Sequence, residues 1–412
     1  MNPIPFAPPC LTEEDLEAVV AVLRSGWITT GPVSAEFERA IATISGTPQA
    51  KVTNSGSTAL EMALRLLGVG PGDEVVTSAY TYTATVNAIV HTGATPVLAD
   101  VATGSCLVDP DSVAERITPR TRAVISVDIG GLPCDHATLT SVVGSAPAPA
   151  PVTPLGEAIG RIALISDAAH SLGAYRDGVP AASLADLTAY SFHAVKNLTT
   201  AEGGALTWSH AIDEKLPRLA ATAGTLGLHG QTKDALTKTR SGQWEYDVTS
   251  PGYKWNMPDV LAALGLSQLR RYAATLQRRH ELVRRYDEAL AGLDLQRPVH
   301  VGGTHVSAAH LYMVRLQHAG EAARNQVIER MADRGIATNV HFKPIPLLSA
   351  FRDLGDPEVV CPRALDAFRE ELTLPLHLNL TDEDVALVAR SLREVLDEVL
   401  GTAQAVQVRE PA

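Results

Sequence analysis

Ile162-Ala-Leu-Ile-Ser-Asp-Ala-Ala-His170 holds a short apolar run, Ile162–Ser166, met at its end by the carboxylate of Asp167, and Leu187-Thr-Ala-Tyr-Ser-Phe-His-Ala-Val-Lys-Asn197 holds a second, Leu187–Phe192, followed closely by Lys196. Both are short, apolar and followed by polar residues, which fits buried strands of a layered sheet. Working outward, five similar runs stand at Ala50–Thr53, Glu74–Thr77, Thr95–Ala99, Ala123–Val127 and Ala205–Trp208. Helical patterns lie between several of them, notably Thr58–Leu67 and Thr83–His91, with Gly, Pro and Asp as punctuation. That alternation predicts an α/β layer on a seven-stranded, mostly parallel sheet.

The flanks read differently. Thr12 precedes Leu16, Val19, Val20 and Leu23 at helical spacing, and Gly26 follows them, which predicts a short amphipathic helix. Residues 141–160 contain Ser-Ala-Pro-Ala-Pro-Ala-Pro at 145–151, which predicts a mobile surface insertion without helix. From Pro258 to Ala291 the pattern is one long helix. Beyond it come strand-like Tyr312–Leu316, a helix near 321–334, a strand near 336–342 and a closing helix near 383–400 capped at Thr381-Asp382. The expected organisation is an N-terminal helix and loop over 1–30, a large domain over 31–260 and a smaller α+β domain over 261–412. A chain of 412 residues exceeds the roughly 250–300 at which single cores stop growing, so two domains are expected.

A net charge of −12 argues against nucleic acid or an anionic membrane as a partner. Cys10, Cys106, Cys134 and Cys361 are far apart and have no metal-ligand spacing, so a reduced, metal-free protein is expected. The N-terminus has neither the basic nor the apolar region of an export signal, and no apolar run approaches the ~20 residues that span a bilayer. A cytoplasmic protein fits these features.

Three segments could carry chemistry. Thr53-Asn-Ser-Gly-Ser-Thr-Ala-Leu-Glu61 follows a strand and opens a helix, so its free N–H groups would converge as at a phosphate site. Thr58 and Glu61 would serve equally as a plain capping box. Asp167 sits at the C-terminal edge of its strand, where α/β sheets place ligands, and could neutralise a protonated pyridine nitrogen or simply cap the next turn. Of the seven lysines, Lys215, Lys233 and Lys238 lie in polar stretches, whereas Lys196 leaves a strand and faces the return Ala201-Glu-Gly-Gly204. A desolvated amine there could act as nucleophile and proton carrier, although a lone lysine is more often a surface charge.

The order of these elements, with the aromatic-rich strand end Tyr80–Tyr82 between them, is the order used by fold-type-I pyridoxal-phosphate enzymes. From about residue 4 to about residue 400 the chain resembles the DegT/StrS-like sugar aminotransferases. The motifs are Ser25-Gly-Trp-Ile-Thr-Thr-Gly-Pro32, Asn54-Ser-Gly-Ser-Thr58, Gly70-Pro-Gly-Asp-Glu-Val-Val76, Asp167-Ala-Ala-His170, Ser191-Phe-His-Ala-Val-Lys-Asn197 with Thr199-Thr-Ala-Glu-Gly-Gly204, Gly252-Tyr-Lys-Trp-Asn-Met257 and Leu374-Pro-Leu376.

The resemblance implies an aspartate-aminotransferase-like fold, pyridoxal 5'-phosphate as cofactor and its pyridoxamine form during turnover. It further implies that Lys196 is the Schiff-base lysine, that Asp167 pairs with the pyridine nitrogen, that Tyr82 stacks on the ring and that His170 reaches the ring hydroxyl. Ser57, Thr58 and Ser191 would hold the phosphate. A homodimer with shared active sites is implied, with Lys254 and Asn256 supplied by the second copy. Here Ser57-Thr58 stands where many members have Thr-Ala, Ser166 precedes the Asp where many have Glu, Lys254 replaces a frequent Asn and Asn256 a frequent Arg.

The expected reaction moves an amino group from an amino acid, glutamate first among donors, to a keto-sugar, in particular a nucleotide-linked 4-keto or 3-keto 6-deoxyhexose. Trp27, Thr29, Thr30, His193, His341, Phe342 and Lys343 are candidates for the acceptor pocket. The alternatives are a keto-cyclitol acceptor and a non-catalytic regulatory protein on the same fold.

Overall fold

In the computed structural model, which describes residues 3–233 and 245–407, each of the seven apolar runs is a strand. They are β1 (Ala50–Thr53), β2 (Glu74–Ser78), β3 (Thr95–Ala99), β4 (Thr121–Val127), β5 (Ala163–Asp167), β6 (Leu187–Ser191) and β7 (Gly204–Trp208). Lys238 falls outside the described residues. The spatial order is β1-β7-β6-β5-β4-β2-β3. Every pairing is parallel except those of β7, which runs antiparallel to β1 and β6.

The strands are buried because helices cover both faces of the sheet. Gly56–Leu66 and Thr83–Thr92 pack one side through Leu60, Met62, Leu64 and Ile89 against Val75, Ile125 and Ile165. Pro32–Ser45 closes part of the other through Phe37 and Ile41. Its start has no side-chain cap of its own. Asp259 supplies one from a distance, accepting from the Gly31 amide at 2.8 Å, the Ser34 amide at 2.9 Å and the Ser34 hydroxyl at 2.5 Å.

The C-terminal part has a three-stranded antiparallel sheet, with Tyr312–Leu316 between Leu295–Gln296 and Glu371–Leu374. Helices Tyr272–Ala289, Gly320–Asp333 and Asp382–Gln407 enclose it around Leu282, Tyr286, Val327, Leu372 and Leu392. The N-terminal segment joins this core, because Ile4 donates its amide to the Gly335 carbonyl at 2.8 Å and accepts from the Ala337 amide at 3.0 Å.

Four local expectations need correction. Residues 141–160 do hold helix: His136–Ser145 ends just before the first proline, Pro147, and Pro154–Ile159 starts on the last, with Thr153 accepting from the Gly156 amide at 3.2 Å as its cap. Residues 147–152 between them, with the alternating prolines, have no regular secondary structure, and Leu155 is buried. The single helix over 258–291 is two, Asp259–Leu269 and Tyr272–Ala289, broken at Arg270-Arg271. Arg271 turns away there to bind the buried carboxylate of Asp15 at 2.7 and 2.5 Å. The strand near 336–342 is reduced to isolated bridges at Ile336 and Asn339, and the strand that fills the sheet is Glu371–Leu374. At the head of Gly56–Leu66 the cap is Ser55, not Thr58 with Glu61, for Glu61 binds Arg65 instead at 3.1 Å.

One buried arginine ties the helix Tyr272–Ala289 to the cavity walls. Arg279 donates to the carbonyls of Ala309 at 2.8 Å, His310 at 2.7 Å and Leu376 at 3.0 Å. Replacing it by methionine keeps its apolar length and leaves three buried acceptors unpaired, so Arg279→Met is expected to cost about 3 kcal/mol. Chemical denaturation should show a clearly lower midpoint. An unchanged midpoint would contradict this role.

Candidate active site

The carboxyl ends of β2, β4, β5 and β6, with the turn after β1, open into one cavity of about 550 Å³. Such edges collect ligands in α/β sheets because loops diverge there and helix N-termini point inward. Ser57, Tyr82, Asp167, His170, Ser191, His193, Lys196 and His341 line this cavity together, as do Phe342 and Glu202.

Lys196 follows the end of β6 in a tight turn in which its amide donates to the His193 carbonyl at 2.9 Å. Its amine makes no hydrogen bond or ion pair among the described residues. Burial lowers its pKa to about 8, against an opposing attraction from Asp167. Part of the amine is therefore neutral near physiological pH and can act as a nucleophile.

Asp167 is buried, and burial raises its pKa, opposed by two hydrogen bonds and by Lys196. The Thr85 hydroxyl donates to Oδ2 at 2.7 Å and the Ala169 amide to Oδ1 at 3.2 Å. A carboxylate so placed favours a cationic partner. Asp128, the residue after β4, lines the same cavity and is held by the Ser171 hydroxyl at 2.7 Å and the Cys134 amide at 2.9 Å. It stands one residue beyond its strand, a position that the sequence pattern offers as readily as that of Asp167 at the end of β5.

His170 receives the Gly130 amide at Nδ1, 3.2 Å away. In the neutral ring the proton therefore lies on Nε2. Burial and the nearby Lys196 push its pKa well down, so the neutral form prevails. The Gly130-Gly131 pair has positive φ at both residues, and a Cβ on Gly131 would lie 3.0 Å from the His170 carbonyl. That close approach brings in His310, whose ring centroid is 4.4 Å from that of His170 and whose Nδ1 is 2.9 Å from Asn197 Oδ1. No local pattern announces His310, because it sits on an irregular loop.

The turn after β1 is shaped for an anion. Ser55 Oγ accepts the Thr58 amide at 3.1 Å, and the Thr58 hydroxyl is used within the turn on Asn54 Oδ1 at 2.9 Å. The amides left over at this helix start are those of Gly56 and Ser57. A Cβ on Gly56 would lie 2.8 Å from that of Ser191, so the cradle fits glycine. Together the exposed amides, the strand-end carboxylate and the unpaired lysine match a phosphorylated pyridine aldehyde in charge and chemistry.

The remaining predicted residues are elsewhere. Lys254 Nζ donates to Asn256 Oδ1 at 2.6 Å, Asn256 Nδ2 to the Thr30 hydroxyl at 2.6 Å, and that hydroxyl to the Met257 carbonyl at 2.6 Å. Trp27 Nε1 donates to the Thr30 carbonyl at 3.3 Å and the Thr29 carbonyl accepts from the Asp259 amide at 3.2 Å. This chain of contacts does not line the cavity, and neither do Thr58 and the exposed Lys343.

Comparison with known proteins agrees with this geometry. The family model of the DegT/DnrJ/EryC1/StrS aminotransferase family matches residues 9–393. The chain is 37% identical over 399 residues to the spore coat polysaccharide biosynthesis protein SpsC of Bacillus subtilis, covering 95% of this chain and 97% of that protein. The pyridoxal-phosphate form of the sugar aminotransferase Spr1654 of Streptococcus pneumoniae superposes with a TM-score of 0.90 at 43% identity, over 96% of this chain and 99% of the other. PseC of Helicobacter pylori, an aminotransferase of pseudoaminic acid biosynthesis, superposes with a TM-score of 0.83 at 28% identity, over 96% and 100% of the two chains. The chain belongs to the DegT/DnrJ/EryC1/StrS aminotransferase family and is a pyridoxal-phosphate-dependent aminotransferase.

Proposed function

We propose that this cavity transfers an amino group from L-glutamate to a nucleotide-linked keto-hexose, a 4-keto or 3-keto 6-deoxysugar, for amino-sugar biosynthesis. The observation that carries the reading is an unpaired lysine of lowered pKa in one cavity with a buried strand-end carboxylate and a free helix N-terminus. The relatives named for polysaccharide and pseudoaminic acid biosynthesis support a sugar as the acceptor.

Pyridoxal phosphate, when bound, supplies an electron sink for the bond that breaks at the substrate carbon. Lys196 would hold it covalently and, once displaced by the incoming amine, carry a proton to and from that carbon. Asp167 would keep the pyridine nitrogen cationic. The Nε2–H of neutral His170 would donate to the ring hydroxyl, and Tyr82, more than half exposed at the cavity mouth, would cover the ring face. Gly56 and Ser57 amides with the Ser191 hydroxyl would hold the phosphate.

Residues 31–260 serve in this reading as the cofactor-holding domain and 261–412 as the smaller one. The chain is read as a homodimer in which Lys254 and Asn256 reach the phosphate of the other subunit. Their absence from the cavity of their own subunit supports that arrangement. The keto-cyclitol acceptor would use the same residues, and no feature of the cavity favours it.

Three outcomes are expected. Added glutamate should convert the visible absorbance of the loaded protein to that of the pyridoxamine form, and Lys196→Ala should lose this conversion. A loaded protein unmoved by glutamate would exclude that donor. The rate at which cofactor-free protein takes up pyridoxal phosphate should rise with pH through a midpoint near 8, and Asp167→Asn should move that midpoint down, since the carboxylate opposes the depression. A midpoint near the ordinary lysine value of 10.5 would show that the amine is not desolvated. Mixing inactive Lys196→Ala protein with a variant altered at both Lys254 and Asn256 should restore activity through dimers that keep one intact site, and no recovery after subunit exchange would argue against sharing.

A further inference from the structure

Glu371 is fully buried at the head of its strand and enters no ion pair among the described residues. Its cross-strand neighbour Arg315 is engaged by Glu370 at 2.8 Å, and Arg324 Nη1 donates at 2.8 Å to the main-chain carbonyl of Glu371. The carboxylate turns instead toward the cavity wall. Oε2 accepts the His341 amide at 2.8 Å and Oε1 accepts the Thr373 hydroxyl at 2.5 Å. The same Thr373 oxygen lies 2.9 Å from His341 Nδ1. His341 lines the cavity, its ring stacks on Phe6 at 5.5 Å, and its Nε2 has no hydrogen-bond partner among the described residues. Nor is Nε2 one of the sealed polar atoms, so it remains accessible to a ligand.

We propose that Glu371 and Thr373 are positioning residues that set, through one shared chain of protons, whether His341 Nε2 offers the acceptor sugar a hydrogen-bond donor or a lone pair. The aminotransferase reading enters only in naming the sugar as the ligand. With Glu371 ionised, the Thr373 hydroxyl donates to Oε1, its oxygen accepts from Nδ1–H, and Nε2 is a bare lone pair. With Glu371 protonated, Oε1–H donates to the Thr373 oxygen, the hydroxyl turns to Nδ1, and the ring proton sits on Nε2. The imidazole stays neutral in both states. The chain as a whole gains one proton, at Glu371, and the ring proton changes nitrogen through solvent.

The surrounding charges keep the two titrations apart. Burial pushes Glu371 up to about 8, opposed by the Thr373 and His341 hydrogen bonds and by Arg324. Tyr80 and Cys106 face it from the loops that follow β2 and β3, and both are held protonated by burial. Burial and Lys196 push His341 down to about 3, while His170 and His310, its other titratable neighbours, are themselves neutral by burial. Below about pH 8 His341 therefore presents Nε2–H, suited to a carbonyl or ether oxygen, and above it a lone pair suited to a hydroxyl.

The test is the tautomer itself, read by long-range proton–nitrogen correlation on protein loaded with pyridoxal phosphate and carrying nitrogen-labelled histidine. His341 signals are assigned by their loss in His341→Asn. The proton should move from Nε2 to Nδ1 as pH rises through about 8, and Thr373→Ser should keep that change. Thr373→Val and Glu371→Gln should each abolish it. In kinetics Thr373→Val should change the acceptor KM in preference to the donor KM. One tautomer at every pH, or a switch that survives in Thr373→Val, would overturn the proposal. The tautomer readout needs no sugar, so a wrong acceptor or donor would leave it standing.

Discussion

The structure depends on keeping a carboxylate and an amine, both poorly solvated, at the carboxyl edge of a buried sheet. Each is unfavourable there alone, since a buried charge without a partner shifts its pKa toward neutrality. Asp167 and Lys196 show those opposite shifts, and each opposes the other's. Register makes this proximity possible: β5 and β6 are adjacent and parallel, with Asp167 beside Ala189, so the loops that follow leave the sheet on the same side. The antiparallel return of β7 then brings Gly204 beside Thr53 and Ser191, against the turn that offers its amides.

The rest of the wall comes from segments distant in sequence. Ile4 pairs with the backbone near Ile336 and thereby sets Phe6 beside His341. Arg279 reaches across to the carbonyls around His310 and Leu376, two residues that line the cavity. The smaller sheet thus contributes to the site through backbone position as well as through side chains. Three histidines, His170, His310 and His341, are all kept neutral by burial, so the cavity gains directional hydrogen bonding without added positive charge.

Strands of a parallel sheet covered on both faces are legible because each is a nearly continuous apolar run bounded by Gly, Pro or Asp, and all seven fall within two residues of the expected positions. Tyr312–Leu316 is equally plain. Glu371–Leu374 is not, because it begins on a buried acid that interrupts the apolar signal, whereas the apolar residues around 336–342 imitate a strand. At the break Arg270-Arg271, Arg271 pairs with Asp15, more than two hundred positions away, a contact that no sequence window can register. The same division holds in the site. Ser57, Asp167, Ser191 and Lys196 lie at or just beyond strand ends and are legible there, and Asp128 is legible by the same rule. His310, Phe6 and Glu371 are brought in by packing between distant segments. Lys254 and Asn256 form their own cluster with Thr30, outside the lining of the cavity.

The central claim is that Lys196, alone among the described lysines in lining the cavity, is the residue that binds the cofactor covalently. Borohydride reduction of the protein loaded with pyridoxal phosphate, followed by proteolysis and peptide mass mapping, tests it most directly. The account predicts one stoichiometric adduct, on the peptide that contains Lys196. An adduct on Lys51, Lys254 or Lys343 instead, or none at all on a protein that retains the cofactor, would contradict it.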